Sequence, residues 1–129
     1  MLILAAVLSL AAAALHAVIF RLESLVWGSP AAQAIFGEQS AQEVDATKEM
    51  AFNQGFYNLF LGIMAAAGAV AALLGATTVG LTLILAGTGA MLAAATVLLL
   101  SSPAHRSAAI KQGTFPLLAV ITSLLALTL

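Results

Sequence analysis

From Met50 to His105 the chain contains no Asp, Glu, Lys or Arg. Few environments tolerate such a stretch. An ordinary soluble domain is about 25% charged, and a small one has too much surface to cover without charge. Over all 129 residues the hydrophobic fraction is 63% and the charged fraction 7%, with a mean hydropathy of +1.13. These values predict an outer surface that meets hydrocarbon. The four basic residues, Arg21, Lys48, Arg106 and Lys111, are scattered and the net charge is -1. That excludes a phosphate-binding surface, and no nucleic acid partner is expected. The absence of cysteine excludes thiol catalysis and Cys-based metal sites.

The hydropathy pattern predicts an all-α integral membrane four-helix bundle, a single transmembrane domain over 1–129 with spans at about 2–22, 51–74, 80–100 and 110–128. The first segment is read as a span rather than a cleaved signal, because no basic region precedes its apolar run. Arg21 and Trp27 suit the membrane interface, one snorkelling and one aromatic. Ser29 before Pro30 predicts the start of a short interfacial helix that stops at Gly37. Ser40 and Glu43 form a capping-box pattern. The helix they open should run through Lys48 into the second span.

Four spans bring both termini to one side. All four basic residues lie at the loops joining spans one to two and three to four. The positive-inside rule puts those loops in the cytoplasm and the termini outside. Gly62, Ala65, Gly68, Ala69 and Ala72 offer a small-residue face on the second span, and Ala86, Ala90 and Ala94 on the third. Such faces let backbones approach closely in lipid. The pattern leaves open whether they pack within the chain or in a homodimer.

Polar residues inside the spans are the candidates for function, because lipid exposes them at high cost. His16 and Glu23 are seven residues apart on one helical stripe with Phe20 and Trp27. They are separated by about 10 Å along the axis, so direct contact is not expected. Asn53, Gln54, Tyr57 and Asn58 form a broad polar face at the start of the second span, and Gln112 opens the fourth. His16, Glu23, Asn53, Gln54, Tyr57, Asn58 and Gln112 can therefore converge in the cytoplasmic leaflet, with none expected to face lipid, and with Trp27 they are the candidate ligand-binding residues. For His16 the alternatives are a packing hydrogen bond or a proton-handling group. For Glu23 they are an interfacial acid paired with Arg21 or Lys48, or a buried carboxylate facing a cavity. Asn53, Gln54, Tyr57 and Asn58 serve either as a packing network or as a pocket for a small molecule or headgroup. His105 falls in a loop, and with no HExxH pattern neither a metal site nor a cofactor is expected. Glu38, Glu43, Asp45 and Glu49 read as a solvated face rather than a calcium loop.

His16 with Glu23 and Trp27, Phe36-Gly37, and above all Asn53-Gln54-Gly55 followed by Tyr57-Asn58 and Leu59-Phe60-Leu61 resemble a bacterial family of small four-helix membrane proteins. That family is known as domain of unknown function 1304. Gln112-Gly113 and Pro116 resemble its closing segment. Phe56 and Phe60 stand where more aliphatic residues would be expected. The resemblance implies a four-helix fold in a bacterial inner membrane, and no activity, substrate or cofactor. Three functions remain: a protein that binds or transports a small or amphiphilic molecule, an accessory subunit, or an intramembrane enzyme. In the last, His16 would be the base, Glu23 its partner or the acid, with Tyr57 and Asn58 orienting a lipid-like substrate. Catalytic residues are not assigned.

Overall fold

The computed structural model describes residues 1–128. Its helices are α1 (Leu2–Phe20), α2 (Pro30–Phe36), α3 (Ala41–Leu73), α4 (Thr77–Ser101) and α5 (Arg106–Thr128). A π-helical turn, Arg21–Leu25, continues α1, and a 3-10 turn, Pro103–His105, precedes α5. The helical segments Leu2–Leu25, Ala41–Leu73, Thr77–Ser101 and Pro103–Thr128 are each long and apolar enough to cross a bilayer. The seven-residue α2 does not span, and lies in the first loop. The spans form an up-down ring in which α3 packs on α1 and α4, and α5 closes on α4 and α1. Both chain ends therefore lie at one end of the bundle, and the basic residues at the other.

Local chemistry accounts for the boundaries. The Ser29 side chain accepts from the Ala32 backbone N–H, with Pro30 at the first helical position. Gly37 ends α2 at φ 97°, a conformation that favours glycine. In the capping box of α3 the Glu43 backbone N–H donates to Ser40 Oγ at 3.2 Å, and the Ser40 backbone N–H donates to Glu43 Oε2 at 2.7 Å. With 33 residues, α3 extends about 50 Å, some 20 Å beyond the hydrocarbon thickness. Its first turns, which carry the charge, therefore stand outside the membrane and form a post against which the first loop folds.

Small residues make the core. Ala6, Ala69, Ala72 and Ile84 form one buried cluster, and Ala12, Ala65 and Met91 another. Gly62, Ala65, Gly68, Ala69 and Ala72 are all buried on α3, as their spacing predicted. On α4 the face packed within the chain carries Gly80, Ile84, Gly87 and Met91, while Ala86 and Ala90 point outward. Glycine brings backbones closer than alanine, and Gly80 and Gly87 lie at the contact with α3. Ser9 Oγ adds an interhelical bond, donating to the Ala65 carbonyl at 2.9 Å.

Candidate functional site

The π turn is where α1 meets the polar start of α3. It holds an extra residue in its hydrogen-bonded ring, seen in the bond from the Val26 N–H to the Arg21 carbonyl at 3.1 Å. Ser24 Oγ donates to the Phe52 carbonyl at 2.7 Å and pins the turn to α3. Gly55 makes the approach possible: a Cβ there would collide with Ser24 Oγ and come within 3.1 Å of Glu23 Cβ. Glu23 thereby faces Asn58, whose Nδ2 donates to Glu23 Oε2 at 2.8 Å. Lys48 pairs with Asp45 at 2.8 Å, and no other ion pair occurs among the described residues. The carboxylate of Glu23 thus has an amide donor and no cationic partner, which removes the alternative of an ion pair to Arg21 or Lys48.

Beside this bond lies a cavity of about 420 Å³ in the half of the bundle that carries the loops. Every spanning helix contributes to its wall: His16 from α1, Gln54 and Asn58 from α3, Met91, Ala94 and Leu98 from α4, Ala108 and Gln112 from α5. Glu23 and Trp27 line it from the first loop, and Phe36, Gln39 and His105 lie at the loop end. His16 is buried, with Nδ1 2.9 Å from the Ala12 carbonyl. A carbonyl can only accept, so Nδ1 carries the proton and Nε2 is the ring's free acceptor. No bond joins His16 to Glu23; the cavity separates them.

Trp27 is held in place by two contacts. Its indole N–H donates to Thr47 Oγ1 at 3.1 Å, and its ring lies 5.5 Å from that of Phe36. At the same end His105 joins segments remote in sequence. Its Nε2 lies 2.9 Å from the Phe36 carbonyl, and its Nδ1 2.7 Å from Ser102 Oγ. The carbonyl fixes Nε2 as the donor, so in the neutral ring Nδ1 accepts from the serine hydroxyl. His105 therefore latches α2 onto the turn before α5. Sequence reasoning gave it no role, since its partner is 69 residues away. With His105→Ala we expect faster amide exchange in α2 and in 102–106, at unchanged exchange in the core of α3, measured by hydrogen–deuterium exchange. Equal rates in variant and wild type would show that the latch does not hold the loop.

Of the eight sequence candidates, His16, Glu23, Trp27, Gln54, Asn58 and Gln112 line this cavity. Asn53 and Tyr57 do not; they line a lateral groove of about 520 Å³, whose wall also includes Glu23, Trp27 and Gln54. Asn53, Gln54 and Tyr57 are exposed, Tyr57 by 67%, against the expectation that these polar groups turn away from lipid. Helical geometry explains the division. Positions 53, 54, 57 and 58 cover an arc of about 140° at 100° per residue, too wide for one pocket. Position 58 turns inward, 53 and 57 turn outward, and 54 lies between and lines both spaces. Among the described residues no three His, Asp or Glu side chains come together to hold a metal ion.

A ring of four spanning helices with a polar cavity in one half defines a multi-pass integral membrane protein. The family model described as "Protein of unknown function (DUF1304)" matches residues 10–124. The chain belongs to this family. No curated protein and no solved structure matches it.

Proposed function

We propose that the protein binds or transports a small or amphiphilic molecule in the cavity between its four spans, from the cytoplasmic leaflet of a bacterial inner membrane. The observation that carries this reading is the composition of the cavity wall. Polar groups from α1, the π turn, α3 and α5 face one space, opposite the apolar side chains of Met91, Ala94 and Leu98. A packing network would bond these groups to each other; here Glu23–Asn58 is the one side-chain pair bonded across it. A wall polar on one side and apolar on the other suits a ligand with the same division. The clustering of all four basic residues at the cavity end of the bundle supports the cytoplasmic placement.

The test is photolabelling in nanodiscs with a long-chain alcohol that carries a diazirine. Saturable adducts are expected on peptides containing Met91, Ala94 or Gln112. Ala94→Trp, which fills the cavity, should reduce them at least fivefold. Adducts confined to outward residues such as Phe60 and Ile63 would overturn the reading.

One observation favours a second reading, an intramembrane acid–base enzyme. The free Nε2 of His16 belongs to the same cavity wall as Glu23. Mass spectrometry of lipids recovered with wild type and with His16→Asn separates the two. A chemically altered lipid found only with wild type favours the enzyme; identical lipids favour binding or transport.

A further inference from the structure

The cavity wall has an uneven hydrogen-bonding inventory. Its strongest groups are acceptors: the Glu23 carboxylate and the free Nε2 of His16. The carboxamides of Gln39, Gln54 and Gln112 can each donate or accept, so they fit a ligand of either kind. No Lys or Arg lines the cavity. The remaining imidazole, that of His105, has both nitrogens engaged by Ser102 and Phe36. An anionic headgroup would meet a carboxylate and no cation to offset it.

The aromatic pair at the loop end supplies the complementary feature. Trp27 and Phe36, with ring centroids 5.5 Å apart, line the same cavity as Glu23. Aromatic faces attract organic cations, and tryptophan does so most strongly. A carboxylate without a cationic partner, uncharged acceptors and two aromatic rings together match a group that is positive and rich in N–H. From this we propose that the cavity takes a protonated amine with an apolar tail. The ammonium lies between Glu23 and the Trp27–Phe36 pair, and the tail lies along Met91, Ala94 and Leu98. This inference rests on the binding reading above and specifies the charge of its ligand.

The protein contains one tryptophan, so Trp27 is itself the reporter. The probes are octylammonium, octanol and octanoate, which share a chain and differ in charge. Each is titrated into the protein in phosphatidylcholine nanodiscs at pH 7, with concentrations corrected for partition into empty discs. Saturable change in Trp27 emission is expected, with octylammonium bound at least tenfold more tightly than octanol and octanoate more weakly than either. Glu23→Gln keeps an acceptor for Asn58 and removes the charge. It should reduce the preference for octylammonium over octanol from at least tenfold to under twofold, and a helical circular-dichroism spectrum matching that of wild type reports that the variant is folded. The wild-type series decides the matter even if the variant cannot be made. Equal binding of octanol and octylammonium would overturn the amine inference and leave the cavity reading standing. Tightest binding of octanoate would do the same. No saturable response to any of the three would overturn both.

Discussion

Gly68→Ala should destabilise the protein by about 2 kcal/mol, and Gly68→Val by about 3 kcal/mol, while Gly89→Ala should cost nothing. All are changes from glycine within spanning helices, and the surroundings alone separate them. A Cβ on Gly68 would lie 2.7 Å from the Ile84 nitrogen, 2.8 Å from the Gly80 carbonyl oxygen and 2.9 Å from Leu83 Cβ. Two of these atoms are backbone and cannot rotate aside, so α4 itself must move. Gly80 meets Ala72 and Gly87 meets Ala65 across the same interface, so a shift of α4 disturbs these contacts too. Gly89 has open space where its Cβ would be, and alanine there adds up to about 1 kcal/mol of helix propensity. Reversible unfolding in mixed micelles measures all three variants. Equal stability of the alanine variants at 68 and 89 would mean that α3 and α4 do not touch through glycine.

That contrast also bears on how much could be read from the chain before its coordinates. The spans follow from hydropathy because lipid imposes one rule on every outward position. The ends of α2 and the start of α3 follow from capping chemistry, in which Ser29, Pro30, Ser40 and Glu43 act on neighbours within a few residues. The α3 contact face was legible because Gly62 and Gly68 mark it. On α4 the alanines at 86, 90 and 94 mark one small-residue stripe, whereas the face packed within the chain carries Gly80, Ile84, Gly87 and Met91, a choice that spacing alone does not make.

The cavity was partly legible in the same way. Helical arithmetic and a common end of the bundle suffice to bring His16, Glu23, Asn58 and Gln112 toward one space. Three features lay beyond that arithmetic. The π turn at Arg21–Leu25 has no Gly or Pro to announce it, and arises from the tertiary contact of Ser24 and Gly55. His105 acquires its place from a carbonyl of α2 that only folding brings near. The outward turn of Tyr57 depends on where α3 places the boundary of a polar arc of about 140°, which its packing on α1 and α4 decides. Local signals fix elements; side chains whose partners are distant in sequence are fixed by packing.

Asn58→Leu should destabilise the bundle by about 3 kcal/mol, and the added change Glu23→Met should restore most of that loss. The bond from Asn58 Nδ2 to Glu23 Oε2 is the only side-chain link between α3 and the π turn within the cavity wall. With leucine at 58 the carboxylate keeps its place near α3, held there by the Ser24 bond to Phe52, and loses its donor. A half-buried acceptor without a partner costs more than the bond contributed, because it has given up part of its water and received nothing in return. Replacing both partners with apolar groups of similar size removes that penalty, so the double variant should be more stable than Asn58→Leu alone. The coupling between the two positions should then be about 2 kcal/mol, read from a double-mutant cycle of unfolding in micelles. The same double variant removes the one unpaired charge from the cavity and should lose selectivity for octylammonium over octanol. Stability and selectivity therefore move in opposite directions between Asn58→Leu and the double variant. A wall built only to hold helices together would show the stability change, but it would have no selectivity to lose. If Asn58→Leu proved as stable as wild type, the carboxylate would have found water or another donor, and Glu23 would not be held by Asn58.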